Sequence, residues 1–213
     1  MSSLYLLLIF IITYLLGSFP TAYLVVKKFT GKDIRLEGSR NVGALNVQRV
    51  TGKFYLSLLT LAIDVGKGVL AVLIPQWLSF LGYNLLLAIT LAAFGVVLGH
   101  CFSIFLKFQG GKAQASLAGI LLVLNWQWLL IPWGVISLFV ILVSGYFLLG
   151  QFMGAIFLPI IGYFLVPKYF WLCLACAIPI LIKQWPRFTP MLKGQEPKWY
   201  FRERKSEVRN SKS

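Results

Sequence analysis

Two polar segments interrupt an otherwise apolar chain, and both carry groups able to grip an anion. The first, residues 27–53, reads KKFTGKDIRLEGSRNVGALNVQRVTGK, with Gly31, Gly38, Gly43 and Gly52, polar side chains at Ser39, Asn41 and Asn46, and guanidinium groups at Arg35, Arg40 and Arg49. Glycines let backbone N–H groups converge on one anion, and arginine offers a forked donor pair that matches phosphate oxygens. The same composition also suits a basic, easily turned connector, and this segment alone fits both readings. The second, GHCFSIFLKFQGGKAQAS, brings Gly99, His100, Ser103, Gly110, Gly111 and Lys112 within 14 residues. Gly-Gly-Lys just before a helix start joins a helix N-terminus to an ammonium group, the chemistry of a phosphate-binding turn. The longer nucleotide P-loop spacing is missing, so nucleotide binding is not implied. His100, the only histidine, reads as a packing residue by itself and as a proton-transfer candidate beside Ser103 and Lys112. Asp64 and Lys67 lie three apart on one helix face inside an apolar run, which reads first as a structural ion pair.

The elements that position these residues are set by hydropathy. With 59% hydrophobic residues, 12% charged and a mean hydropathy of +0.81, the chain has more apolar surface than a soluble core of this length can hide. It is therefore expected to be an all-α, polytopic integral membrane protein. Stretches near 4–26, 54–75, 84–106, 115–131, 133–150, 152–166 and 169–183 predict seven transmembrane helices. Twenty Lys and Arg oppose six acidic residues, and their distribution sets the orientation. With the N-terminus outside, residues 27–53 carry seven basic residues inward, 107–112 two and 183–213 nine, which leaves Lys67 within a span and Lys168 outside. This obeys the positive-inside rule and puts the C-terminus in the cytoplasm. Interleaving of the charges with long apolar runs points to membrane lipids and anionic substrates, not nucleic acid. Cys101, Cys173 and Cys176 fall in or beside apolar runs and read as packing residues, neither a disulfide framework nor a zinc site. No cleavable signal peptide is expected, because the first apolar stretch lacks a basic flank. Residues 1–198 read as one transmembrane domain. Residues 199–213 form a basic cytoplasmic tail whose Trp199, Tyr200 and Phe201 precede Arg202, Arg204 and Lys205, a pattern suited to anionic lipid.

Together the motifs resemble the PlsY family, bacterial membrane acyltransferases that use acyl phosphate. The signature close to Gly-Ser-Gly-Asn-x-Gly-Ala-Thr-Asn-x-x-Arg is met by Gly38, Ser39, Asn41, Gly43, Ala44, Asn46 and Arg49. A second, Gly-His-x-x-Ser followed by Phe-x-Gly-Gly-Lys-Gly-x-Ala-Thr, is met by Gly99, His100, Ser103, Phe108, Gly110, Gly111, Lys112 and Ala115, with Ser116 for threonine. Leu16, Gly17, Ser18 and Pro20, and the group Asp64, Lys67 and Gly68, also fit. The resemblance implies transfer of a fatty acyl group from long-chain acyl phosphate to the 1-hydroxyl of glycerol 3-phosphate in phospholipid biosynthesis. The products are lysophosphatidic acid and phosphate, and no metal or organic cofactor is implied. It places the protein in the bacterial inner (plasma) membrane with a cytoplasmic active site. The implied catalytic residues are His100, Ser39 and Lys112. Phosphate would be bound by Ser39, Asn41, Asn46, Arg49, Gly110, Gly111 and Lys112, with Gly38, Gly43, Ser103 and Glu196 shaping the site.

The departures are specific. Arg40 and Ala113 stand where the signatures have glycine, Leu45 where they have threonine, and Gln114 where they are apolar. In the fifth-span signature both hydroxyls are lost, at Leu148 and Gln151, and in the last one Gln184, Arg187 and Pro190 replace His, Asn and Arg, while Leu192, Gly194 and Glu196 are kept. Family contacts from this region do not transfer, and Arg40 or Arg187 are candidates to replace the missing donors. Three classes follow: the acyltransferase; a catalytically degenerate paralogue that binds lipid phosphates or regulates; and a transporter, the least supported because no inverted repeat is evident.

Overall fold

The computed structural model describes residues 2–193, all of whose regular structure is helical. Gly194, Glu196 and the tail 199–213 lie outside the described residues. In chain order the helices are α1 (Ser2–Ser18), α2 (Thr21–Thr30), α3 (Ala44–Thr51), α4 (Phe54–Trp77) and α5 (Leu85–Cys101). They continue with α6 (Gln114–Asn125), α7 (Ile131–Ser144), α8 (Phe147–Leu165), α9 (Phe170–Gln184) and α10 (Phe188–Leu192). Pro20 lacks an N–H and separates α1 from α2, and Gly52 and Gly145 close α3 and α7 in the left-handed conformation at φ 68° and 77°.

Among the described residues, six helical runs are long and apolar enough to cross a bilayer: Ser3–Thr30, Phe54–Trp77, Leu85–Leu106, Gln114–Ser144, Phe147–Leu165 and Pro167–Met191. The fourth and fifth spans expected from hydropathy share the single run 114–144. That run is not straight. Asn125 leaves the helical region at φ −170°, ψ 89°, its side chain accepts from the Trp128 N–H at 3.0 Å, and a π-helical turn, Trp126–Leu130, leads into α7. Both ends of the run lie near the first turns of α8. Lys112 and Gln114, where it begins, bond to Gln151, and Ser137 and Ile141, near its close, pack on Gly150.

Small residues let the helices approach closely, as expected where lipid offers no hydrophobic drive between them. A Cβ on Gly99 of α5 would stand 2.1 Å from the Tyr14 carbonyl oxygen of α1. One on Gly68 of α4 would stand 1.9 Å from the Ser116 carbonyl oxygen of α6. Gly68→Ala must therefore push α6 and Ser116 away. We expect it to destabilise the protein by about 1–3 kcal/mol, which a melting curve checks. Cys101, Cys173 and Cys176 are buried in the main apolar core. Large side chains such as Val143, Phe164 and Trp171 are exposed, as on a surface that meets hydrocarbon.

One end of the bundle gathers the loop after α2, the segment after α5, the α7–α8 corner and the close of α9 around common cavities. The start of α1 lies at the other end, where Tyr5, Leu6 and Ile9 pack with Leu78, Leu81 and Tyr83.

Candidate active site

The loop between α2 and α3 is organised by one amide. Asn46, 1% exposed, donates from Nδ2 to the carbonyls of Ile34, Glu37 and Asn41 at 3.2, 3.1 and 3.0 Å. Its Oδ1 accepts from the Ser39 N–H at 2.8 Å. The side chain read from sequence as a phosphate contact thus has its hydrogen-bonding capacity committed to holding Ser39 and Asn41 in place. Gly38, at φ 56°, passes so close that a Cβ would meet Asn46 Oδ1 at 2.4 Å, which is its part in shaping the site. Asp33 and Arg35 brace the other side through a 2.6 Å ion pair. The Arg35 guanidinium beside Asp33 holds its carboxyl below the usual carboxylate range. A depressed carboxylate stabilises above its unfolded pKa and ceases to as pH falls through the folded one. The loop is therefore expected to keep its hydrogen-exchange protection down to about pH 4 and lose it below.

The second motif folds back on α5. The Gly110 N–H donates to the Cys101 carbonyl at 3.1 Å and the Gly111 N–H to the His100 carbonyl at 2.9 Å. Both donors are thus used within the protein, which leaves these two glycines, expected from the resemblance to bind phosphate, without an N–H to offer it. What the glycines supply is closeness, since a Cβ on Gly111 would meet the Val42 carbonyl at 2.3 Å and His100 Nε2 at 2.6 Å. Ser103, 2% exposed, donates to the Ser18 carbonyl and ties the segment to the end of α1.

His100 lies under this turn. The Ser116 hydroxyl donates to the Asp64 carbonyl oxygen at 3.0 Å and lies 3.2 Å from His100 Nδ1. A carbonyl can only accept, so the hydroxyl proton is used there and His100 must donate from Nδ1. Nε2 is left as an acceptor. Beneath it, Lys67 Nζ is 2.7 Å from Asp64 Oδ1 and donates to the Phe19 carbonyl at 2.6 Å, while Thr21 Oγ1 donates to Asp64 Oδ1 at 3.1 Å. The ion pair expected from sequence joins the α1–α2 break to α4.

These parts enclose a cavity of about 210 Å³. Ser39, Asn41, Gly43, Asn46, Arg49, His100 and Lys112 all line it, although they come from segments far apart in the chain. Ser103 and Gly111 line only a small crevice beneath it, and Gly110 reaches that crevice and a neighbouring cavity. The N-termini of α3 and α6 open on the main cavity through Gly43 to Leu45 and Ala113 to Ala115, neither with a side-chain cap. Such ends carry partial positive charge and uncommitted N–H groups, which suits an anion. Gln151 and Arg187 also line it, and Lys112 Nζ lies 3.3 Å from Gln151 Oε1. The sequence marked Gln151 only as a departure and Arg187 as a departure that could replace a missing donor, and their 39- and 75-residue distance from Lys112 gave no cue to their proximity. Leu61 and Phe147, 42% and 38% exposed, form its apolar side. The arrangement can hold a phosphate among Arg, Lys, Ser and helix N-termini, offer an acceptor nitrogen to a hydroxyl, and lead an alkyl chain towards lipid.

Comparison with known proteins agrees in kind. The family model described as glycerol-3-phosphate acyltransferase matches residues 7–194. A glycerol-3-phosphate acyltransferase of Nostoc sp. is 37% identical over 203 residues, covering 88% of this chain and 89% of that one. One from Prochlorococcus marinus is 37% identical over 196 residues, covering 90% and 96%. Among solved structures, the crystal structure of PlsY (YgiH), an integral membrane glycerol 3-phosphate acyltransferase, in its glycerol 3-phosphate form superposes with a TM-score of 0.79 at 25% identity, covering 92% of this chain and 96% of that one.

Proposed function

Since the chain belongs to the glycerol-3-phosphate acyltransferase family, we propose that it acylates the 1-hydroxyl of glycerol 3-phosphate with long-chain acyl phosphate as donor, for phospholipid synthesis. The binding-only alternative is not favoured. The observation that carries this reading is the convergence of Ser39, Arg49 and Lys112 with His100 on one cavity.

Acyl phosphate is already activated, so the protein's task is alignment and charge. Arg49, Lys112, Ser39 and the α3 and α6 N-termini hold phosphate oxygens and neutralise them. His100 Nε2 accepts the proton of the glycerol hydroxyl as its oxygen attacks the acyl carbonyl carbon. The C–O bond to phosphate breaks, inorganic phosphate leaves, and the proton passes on to it or to solvent. Asn46 positions the loop, and Ser116 holds the His100 tautomer. The scheme involves neither an acyl-enzyme nor a metal or organic cofactor. Leu61 and Phe147 guide the acyl chain towards the bilayer.

Topology follows the same reading. We take the run 114–144 as two short crossings that reverse at Asn125, giving seven; the return of both its ends to α8 supports this. The cavity end carries the basic loops and is assigned to the cytoplasm by the positive-inside rule. The start of α1, at the opposite end, then lies outside an inner (plasma) membrane. Residues 1–198 form one transmembrane domain, followed by the basic tail 199–213.

The test is a reaction of purified protein in lipid with acyl phosphate and glycerol 3-phosphate. Phosphate and lysophosphatidic acid should appear in equal amounts, and only with both substrates present. Protein that binds acyl phosphate and never yields lysophosphatidic acid would overturn the reading.

A further inference from the structure

Beside the main cavity lies a second of about 630 Å³, and the two share Ser39, Asn41, Lys112 and Arg187 as a common wall. What the second adds is positive charge. Arg35, Arg40 and Lys183 line it together with Lys112 and Arg187, and among the described residues no carboxylate does. The three carboxylates among the described residues are each paired: Asp33 with Arg35, Glu37 with Lys32 and Asp64 with Lys67. Arg35 is thereby neutralised. Arg40 and Lys183 have no ion pair among the described residues. Lys183, in the last turn of α9, holds its ammonium 5.3 Å over the ring of Phe102, itself part of the cavity wall.

Arg40 adds an independent observation. Its backbone has φ +57°, the left-handed region that glycine occupies freely and a side chain only under strain. An arginine kept there, facing a cavity, indicates that its charge has a use. A concave, basic surface concentrates anions. Direct acyl transfer needs two phosphate-bearing substrates bound together, and two dianions cannot share one set of ligands without strong repulsion.

We propose that the second cavity is a second seat for a terminal phosphate group, where Arg40 and Lys183, with Lys112 and Arg187 at the wall, hold one substrate's phosphate while the main cavity holds the other's. The proposal rests on the acyltransfer reading. It identifies Arg40 and Lys183 as binding residues for one substrate alone.

The experiment compares wild type with Arg40→Gly, Lys183→Gln and the double variant. Each substrate's KM is measured with the other saturating, and half-maximal protection against heating is measured separately for glycerol 3-phosphate and for acyl phosphate. Loss of one charge-assisted contact is expected to raise one substrate's KM about tenfold, and its half-protecting concentration likewise, with a larger rise in the double variant and the other substrate's values within about twofold. The substrate that responds is the occupant. Arg40→Gly should melt no lower than wild type, because glycine relieves the backbone, so the effect cannot be misfolding. Values unchanged for both substrates, equal rises in both, or a loss confined to kcat overturn the second seat. Wild type that makes no lysophosphatidic acid defeats the acyltransfer reading instead, and the heat-protection arm then decides the seat by the same criterion.

Discussion

Lys112→Ala should lower kcat/KM for acyl transfer about a thousandfold while leaving the helical bundle folded. Removal of one preorganised donor from a charge-stabilising site typically costs a hundred- to a thousandfold. Lys112 belongs at the upper end because it lines both cavities, so one truncation removes a cation from each. The fold should survive. The side chain is half-buried, and α6 is held to α4 by Gly68, Gly119 and the buried Leu117 and Ile120, none of which touches the ammonium. Lys112→Arg should recover only part of the rate, since a longer, planar group changes the distance to Gln151. Turnover and circular dichroism on the same sample check the prediction. An alanine variant that keeps a tenth of wild-type activity would refute the place given to Lys112.

The second large effect concerns stability. Asp64 and Lys67 have side chains 5% and 4% exposed, and Lys67 also holds the Phe19 carbonyl and lies 5.6 Å from the Phe19 ring. Asp64→Ala or Lys67→Ala leaves the other charge buried, which costs about 3–5 kcal/mol. The double replacement Asp64→Leu with Lys67→Met should regain much of that loss, because a buried pair repays its desolvation poorly. It should not regain activity. Asp64 lines the main cavity, and its oxygen fixes Thr21 at the α1–α2 break. Thermal melting of the three variants in lipid or detergent checks this, and single variants losing less than about 1 kcal/mol would show that the pair is not the clamp described.

How much was legible in the sequence follows from what residue types can encode. Hydropathy marked the apolar runs because lipid contact demands them. Charge and glycine marked the two loops, whose Ser39, Arg49 and Lys112 do meet on one cavity. The break in helical geometry at Asn125 was not legible, since a bend inside continuous apolar sequence leaves no charged gap. Nor was the fate of the Gly110 and Gly111 N–H groups, because a motif names residues but not the backbone partners they take. Asn46 looked like a ligand for the same reason: an amide that binds substrate and one that binds three carbonyls are spelled alike. Gln151 appeared as a loss against a pattern and Arg187 as a loss that could itself replace a donor, and only the meeting of α8 and the close of α9 at the cavity end shows what they face.

On the proposed reading, the apolar flank formed by Leu61 and Phe147 determines how abundance of the acyl donor is counted. A reactant that arrives sideways through that flank is dissolved in two dimensions, so the protein senses its mole fraction among lipids, not its amount per litre. Growth of the surrounding bilayer then dilutes the donor even as the cell makes more of it, and membrane area itself becomes a variable in the rate of the step that enlarges it.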